Sequence, residues 1–302
     1  MIRPRKGLND RLLGWKVSGG ARQTVAGILE RGGRNVMVVL GFIIILFMIL
    51  VALLAPVLPI ADPKQMSDDL FLPPSSEHWF GTDENGRDVF SRVLWGARVS
   101  LMVATFAVLM SMVIGITLGL TAGYFGGKVD YLITGAIDLF WTFPPFLLAL
   151  AFAAALGPGL FNVVLAISIS YWAGFARLMR GQALSMRERQ FVEASRALGA
   201  KNWRIMFTHV LPNCLAPLIV WASIGVADAI TIESSLSFLG VGTKPPTPSW
   251  GWMLQSGLLH LGSAWWISTF PGVAMVFTIL GFNLLGDGLR DVMDPRMKGL
   301  RR

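Results

Sequence analysis

The chain has 302 residues, 54% of them apolar and only 15% charged, with a net charge of +8. So few charges cannot clothe a soluble domain of this length, which excludes one. The positive excess lies next to long apolar runs rather than on a soluble basic domain, so it excludes nucleic acid as a partner and points to anionic lipid head groups.

Eight Lys and Arg precede Asn35, and the first charge-free run, residues 35–61, then reads as a span over 36–58. A helix needs about 20 mostly apolar residues to cross a bilayer. This run starts too late and extends too far for a cleaved signal peptide, so it reads as a signal anchor. The loop that follows, 59–98, holds Lys64, Arg87 and Arg92 against seven acids over residues 60–97. Asp83, Asn85 and Asp88 suggest a calcium loop, but Leu94 stands at the twelfth position where a bidentate Glu is required, and a turn at Asn85-Gly86 is the better reading.

Further charge-free runs at 99–127, 139–176, 205–227 and 245–286 place spans at 99–122, 131–156, 161–180, 214–236 and 267–287. The third and fourth share one apolar run, divided at Gly157-Pro158-Gly159. Parity supports the division. With six spans, the eight basic residues before Asn35, seven between Arg177 and Arg204, and five from Arg290 to Arg302 fall on one side, which is the cytoplasmic one. The expected organisation is a cytoplasmic basic segment 1–35, the first span, the external loop 59–98, a core of five spans over 99–290, and a cytoplasmic tail 291–302. Within the core, 181–213 is a cytoplasmic loop and 238–266 an external segment.

Chemistry-bearing motifs are sparse. The nearest approach to a phosphate-cradling loop, at Gly127-Lys128, has Ala122 for its first Gly and Val129 for its hydroxyl, so any ATP that drives transport is bound on another chain. Cys214 is alone, and His78, His209 and His260 fall in different regions without ligand spacing, so no metal or cofactor is expected on this chain. Asp138, Asp228 and Glu233 are acids inside spans, each costing roughly 2.5 to 3.5 kcal/mol on insertion scales. They either line a translocation path or make interhelical hydrogen bonds to a partner chain. Asp228 and Glu233 lie five apart and do not share a face, and Asp138 precedes Pro144-Pro145, where the third helix should kink.

The loop RQFVEASRALGAKNWRIMFTHVLPN, Arg189 to Asn213, is the most informative segment. Its spacing predicts a helix over 187–198 with Phe191, Ala194, Ala197 and Leu198 near one face, stopped by Gly199, the residue best suited to a left-handed C-cap. A second short helix over 201–209 should carry Trp203, Phe207 and Val210 on its apolar side, with Pro212 opening the fifth span. Such a knob can be gripped and moved as a rigid body. The bland alternative is a helix lying on lipid, with Glu193 pairing with Arg189 or Arg196.

Glu193, Ala194, Gly199, Leu211 and Pro212 stand in register with the E-A-A, G, I, L-P hallmark loop of permease subunits in ATP-binding-cassette importers. Ser195 replaces the second Ala, and His209 replaces the Ile, a variant resembling that of peptide-importer permeases. HWFGTDENGRDVFSRVLWGARVSL (His78–Leu101), SSLSFLGVGTKPPTPSWGWML (Ser234–Leu254) and GDGLRDVMDPR (Gly286–Arg296) resemble segments of dipeptide, oligopeptide and nickel importer permeases, of the shorter subunit type. The resemblance covers nearly the whole chain. It implies an all-α polytopic fold of the type I importer class in a bacterial inner membrane, with both termini cytoplasmic. It also implies a homologous second permease sharing an alternating-access path, two ATPase chains holding ATP and magnesium, and a periplasmic or lipid-anchored substrate-binding protein. Coupling to the ATPases then falls on Glu193, Ala194, Ser195, Gly199, Arg204, Leu211 and Pro212. Arg87, Asp88, Arg92, Trp250 and Trp252 are candidates for docking the binding protein; pairing of the charges among themselves and interfacial anchoring of the tryptophans are the plainer readings. Small peptides are the expected cargo, with nickel chelates, opines and oligosaccharides open. An ion-coupled secondary transporter is the alternative from another class, disfavoured because no internal duplication is visible.

Overall fold

The structure, a computed structural model, describes Gly33 and residues 35–293. The basic N-terminal segment and the chain beyond Met293 lie outside the described residues, and with them most of the charge used to orient the chain. Helix α1 is Val36–Leu54, α2 Val89–Phe125, α3 Gly127–Trp141, α4 Pro145–Leu156 and α5 Leu160–Arg187. After these come α6, Gln190–Ala197, a single turn α7, Asn202–Arg204, a π-helical stretch Ile205–Val210, and α8, Leu211–Phe238. The short α9, Trp250–Leu258, and the long α10, Trp266–Met293, complete the order. No strand occurs among the described residues, only an isolated bridge between Thr82 and Asp88.

Five helical segments are long and apolar enough to cross a membrane, and α3 and α4 pass the same test only as a pair. The two meet at 88° across residues 142–144, a break where the sequence predicts a kink. Pro144 and Pro145 explain the break, since neither has an N–H to continue the ladder and each ring clashes with the preceding turn. Asn35 caps α1 and Asp88 caps α2, their side chains accepting backbone N–H groups of the first turn.

Lipid supplies no hydrophobic drive between helices, so close backbone approach must hold the spans together. The tightest seam joins α2 to α5. A Cβ at Gly115 would meet Trp172 O at 2.7 Å, one at Gly119 would strike the carbonyl of Ala176, and one at Gly123 would meet Arg180 O at 2.6 Å. These glycines recur every four residues on one face of α2, a spacing the composition reading passed over. The α1–α10 crossing repeats the device, with Gly41 against Leu285 N at 2.5 Å and Gly281 against Ile44. Between the seams lies a core that includes Val103, Ala107, Ile167, Phe175 and Ile230, all buried.

Candidate functional site

The loop expected to be a handle projects from the ends of α5 and α8. Helix α6 ends in a Schellman closure: Gly199 N–H donates to Arg196 O at 2.9 Å and Ala200 N–H to Ser195 O at 3.1 Å, with Gly199 at φ +78°. Nothing lies within 4 Å of a Cβ built on Gly199, so its backbone conformation, not crowding, calls for glycine there. The second expected helix is not separate. Residues 202–238 run on without interruption through the π stretch, whose last bond is Leu211 N–H to Met206 O. Pro212 accounts for this, because the wider π turn relieves the clash its ring would make with the carbonyl one turn back.

The faces of the knob also differ from expectation. Val192, Ile205, Met206 and Val210 are buried, whereas Ala194, Ala197, Leu198, Trp203 and Phe207 point outward, Leu198 at 87% exposure and Trp203 at 62%. Of the residues read as apolar faces, Val210 is buried and Phe191 half-buried, while the others are exposed, as are Glu193 and Arg204. Ser195 Oγ donates to Phe191 O, Leu211 is half-buried and Pro212 exposed. Anchoring is firm on the membrane side. Tyr124 Oη donates to Asn202 Oδ1 at 3.0 Å, and the Arg196 guanidinium lies over the Tyr124 ring at 5.0 Å, so the knob is tied to the end of α2.

A second polar surface runs along α3 and α5. Asp130 accepts two bonds from Arg180, at 2.5 and 2.7 Å, and a further one from Thr134 at 3.2 Å. One turn before the break between α3 and α4, Asp138 accepts from Arg177 at 2.5 Å, and the same guanidinium lies over the Trp141 ring at 4.0 Å. Asp138 and Arg177 side chains are 58% and 44% exposed. Asp138 is thus paired. The sequence reading assigned Arg177 and Arg180 to the cytoplasmic basic cluster and missed the pairing, which joins residues 39 and 50 apart. Asp228 is exposed on α8.

Glu233 is fully buried and accepts hydrogen bonds from Ser100 of α2 at 2.9 Å, Ser237 at 2.9 Å and Ser234 at 3.4 Å, all within the same chain. The network extends outward through Ser237, Thr243 and Ser249, whose hydroxyls link α8 to the segment before α9.

Arg87, Arg92 and Trp250 are likewise interior, at 3%, 2% and 0% exposure, which corrects their reading as docking or interfacial side chains. Asp83 holds both guanidiniums, Arg87 at 2.7 Å and Arg92 at 3.3 Å, and Arg92 also donates to Pro63 O at 2.9 Å. Asp88 caps α2 through Ser91 N–H and meets His78 Nδ1 at 2.9 Å. Trp250 Nε1 donates to Val93 O, while Trp252 is half-buried. The Asn85-Gly86 turn is present, closed by Gly86 N–H to Asp83 O with Gly86 at φ +67°. These groups build a rigid outer ledge.

Residues 115–299 match the family described as the binding-protein-dependent transport system inner membrane component, and residues 30–74 match the N-terminal transmembrane domain of oligopeptide transport permease C. The dipeptide transport system permease protein of Alkalihalophilus pseudofirmus is 46% identical over 88% of both chains. The probable D,D-dipeptide transport system permease of Escherichia coli K12 is 43% identical over 85% of this chain and 87% of its own. In fold, the chain is similar to a subunit of the MetNI methionine ABC transporter in an inward-facing conformation. That likeness has a TM-score of 0.53 and 19% identity, covering 67% of this chain and 97% of the other. The likeness shows a shared all-helical fold. This chain belongs to the binding-protein-dependent transport permeases, in the dipeptide, oligopeptide and nickel importer group, and is a multi-pass membrane transport subunit.

Proposed function

We propose that the chain is one of two homologous permeases in an ATP-driven importer of small peptides. The named dipeptide permeases among its relatives support that cargo. ATP and magnesium are held by two partner ATPases, this chain binds no cofactor, and a substrate-binding protein delivers cargo to the outer ledge. Its membrane is the bacterial inner membrane, with the knob and both termini in the cytoplasm.

The observation that carries the coupling role is the exposure of Ala194, Ala197, Leu198, Trp203 and Phe207 on a knob tied to α2. Exposed apolar side chains on a polar knob favour a protein partner, and an aromatic among them is the usual anchor. Losing such an anchor costs about 2 kcal/mol of docking, roughly thirtyfold in affinity. Trp203→Ala and Leu198→Asp should each release the ATPase chains from the purified complex and abolish uptake while this chain still inserts. Full uptake in both variants would remove the coupling role from these side chains.

The ionic face of α3 and α5 supports a place on the translocation path for Asp138, and exposed Asp228 on α8 is a second candidate. An ion pair as exposed as Asp138–Arg177 is too costly to turn toward acyl chains, so it looks onto water or protein. Opposite charges side by side also suit cargo with an ammonium at one end and a carboxylate at the other. In reconstituted transporter, Arg177→Gln and Asp138→Asn should lower uptake of free dipeptides about tenfold or more, and uptake of end-blocked dipeptides much less. Equal loss for both cargoes would show a structural pair and not a path.

A further inference from the structure

A groove of about 560 Å³ opens where the end of α1 meets the start of the membrane-facing part of α2. Its lining includes Lys64 and Arg98, both exposed, together with Trp95, Val99, Met102 and Leu160. Asp62 is the carboxylate in the lining, and its Oδ1 accepts the backbone N–H of Lys64 at 2.8 Å, closing a local turn. Two cations against one occupied carboxylate leave the lining positive. Arg98 leans toward Trp95, its guanidinium 5.8 Å from the ring, an arrangement that holds the charge at the level where tryptophan prefers to sit in a bilayer.

Below Arg98 the same face of α2 continues as an apolar track. Met102, Phe106, Leu109 and Val113 follow at spacings of four, four, three and four residues, and all are exposed, Phe106 at 55% and Val113 at 62%. A cationic mouth above an apolar track about one acyl chain long is matched by an amphipathic anion, not by a free ion or a soluble peptide. We propose that this groove binds one anionic phospholipid of the leaflet that faces the 59–98 loop, with its phosphate at Lys64 and Arg98 and an acyl chain along α2.

The assembled transporter, purified in detergent and mixed with phosphatidylglycerol or phosphatidylcholine, provides the test by native mass spectrometry. Phosphatidylglycerol should be retained in preference to phosphatidylcholine. The double change Lys64→Gln and Arg98→Gln should cut retention about fivefold for each cation lost. Met102→Trp, which fills the groove and leaves both cations, should abolish retention. Equal retention of the two lipids, or retention undiminished in Met102→Trp, overturns the proposal. So does release of the lipid by excess inorganic phosphate or by free dipeptide, which would identify an anion site or a cargo site instead. Should the double variant fail to assemble, the preference of the unaltered complex and the Met102→Trp result still decide.

Discussion

Asp83→Ala should be among the most destabilising single changes in this protein, at about 3 to 5 kcal/mol, because it takes the carboxylate from buried Arg92 and leaves buried Arg87 with Glu84 alone, at 3.1 Å. Arg87 and Arg92 are almost wholly buried, and the Asp83 carboxylate also accepts the backbone N–H groups of Asn85 and Arg87. Removing it leaves two guanidiniums to share the one remaining carboxylate, Glu84, in the ledge that seats the start of α2. The ledge should loosen, with Trp250 losing its place against Val93 and Gly96. Thermal unfolding of the purified complex should fall by many degrees, and protease should cut between residues 60 and 88. Replacing both arginines by leucine in the Asp83→Ala background should recover much of the loss, since a buried ion cluster is often no better than packed apolar side chains. A loss under about 1 kcal/mol in Asp83→Ala would show that the charges reach water by another route.

Gly119→Val should separate α2 from α5 and prevent assembly of a stable permease. The new Cβ would strike the Ala176 carbonyl and lie 2.9 Å from the Met179 Cβ, and a helix backbone cannot yield locally as a side-chain tip can. Overpacking of this kind costs typically 1 to 3 kcal/mol, and more where backbone must move. Without a hydrophobic force to compensate in lipid, the seam has little reserve. Gly181→Ala on α5 is the control, because nothing lies within 4 Å of a Cβ there. The control should give normal yields of monodisperse protein, and cysteine crosslinks between α2 and α5 should form in it and fail in Gly119→Val. Normal crosslinking in Gly119→Val would mean that the helices tolerate a wider spacing.

The two variants probe the same division of labour. Charge-free runs, the turn at Gly157-Pro158-Gly159, the breakers Pro144 and Pro145 and the left-handed Gly199 were legible in the sequence because each acts within one or two turns of chain. Desolvating an apolar run or denying a helix its N–H needs no distant partner. The hallmark loop was legible for the same reason, being a contiguous pattern.

Which way a side chain faces was not legible. Trp203, Phe207 and Val210 read as one apolar side, yet only Val210 is buried, with Ile205 and Met206, in the π stretch at 205–210, and Trp203 and Phe207 are exposed. Asp138 looked unpaired until folding brought Arg177 to it, and Glu233 found Ser100, 133 residues away. Arg87 and Arg92 read either as a surface for a partner or as charges paired with Asp88, and folding buried both against Asp83 instead. By itself the sequence determined which segments are apolar enough to cross a bilayer and where the chain breaks between them, since the cost of placing backbone and charge in lipid is set residue by residue. Only the tertiary structure decided which charges are paired, which apolar side chains remain for a partner and which acid is sealed away, because a hydrogen bond or ion pair requires two groups to meet, and it is packing between helices that chooses the second.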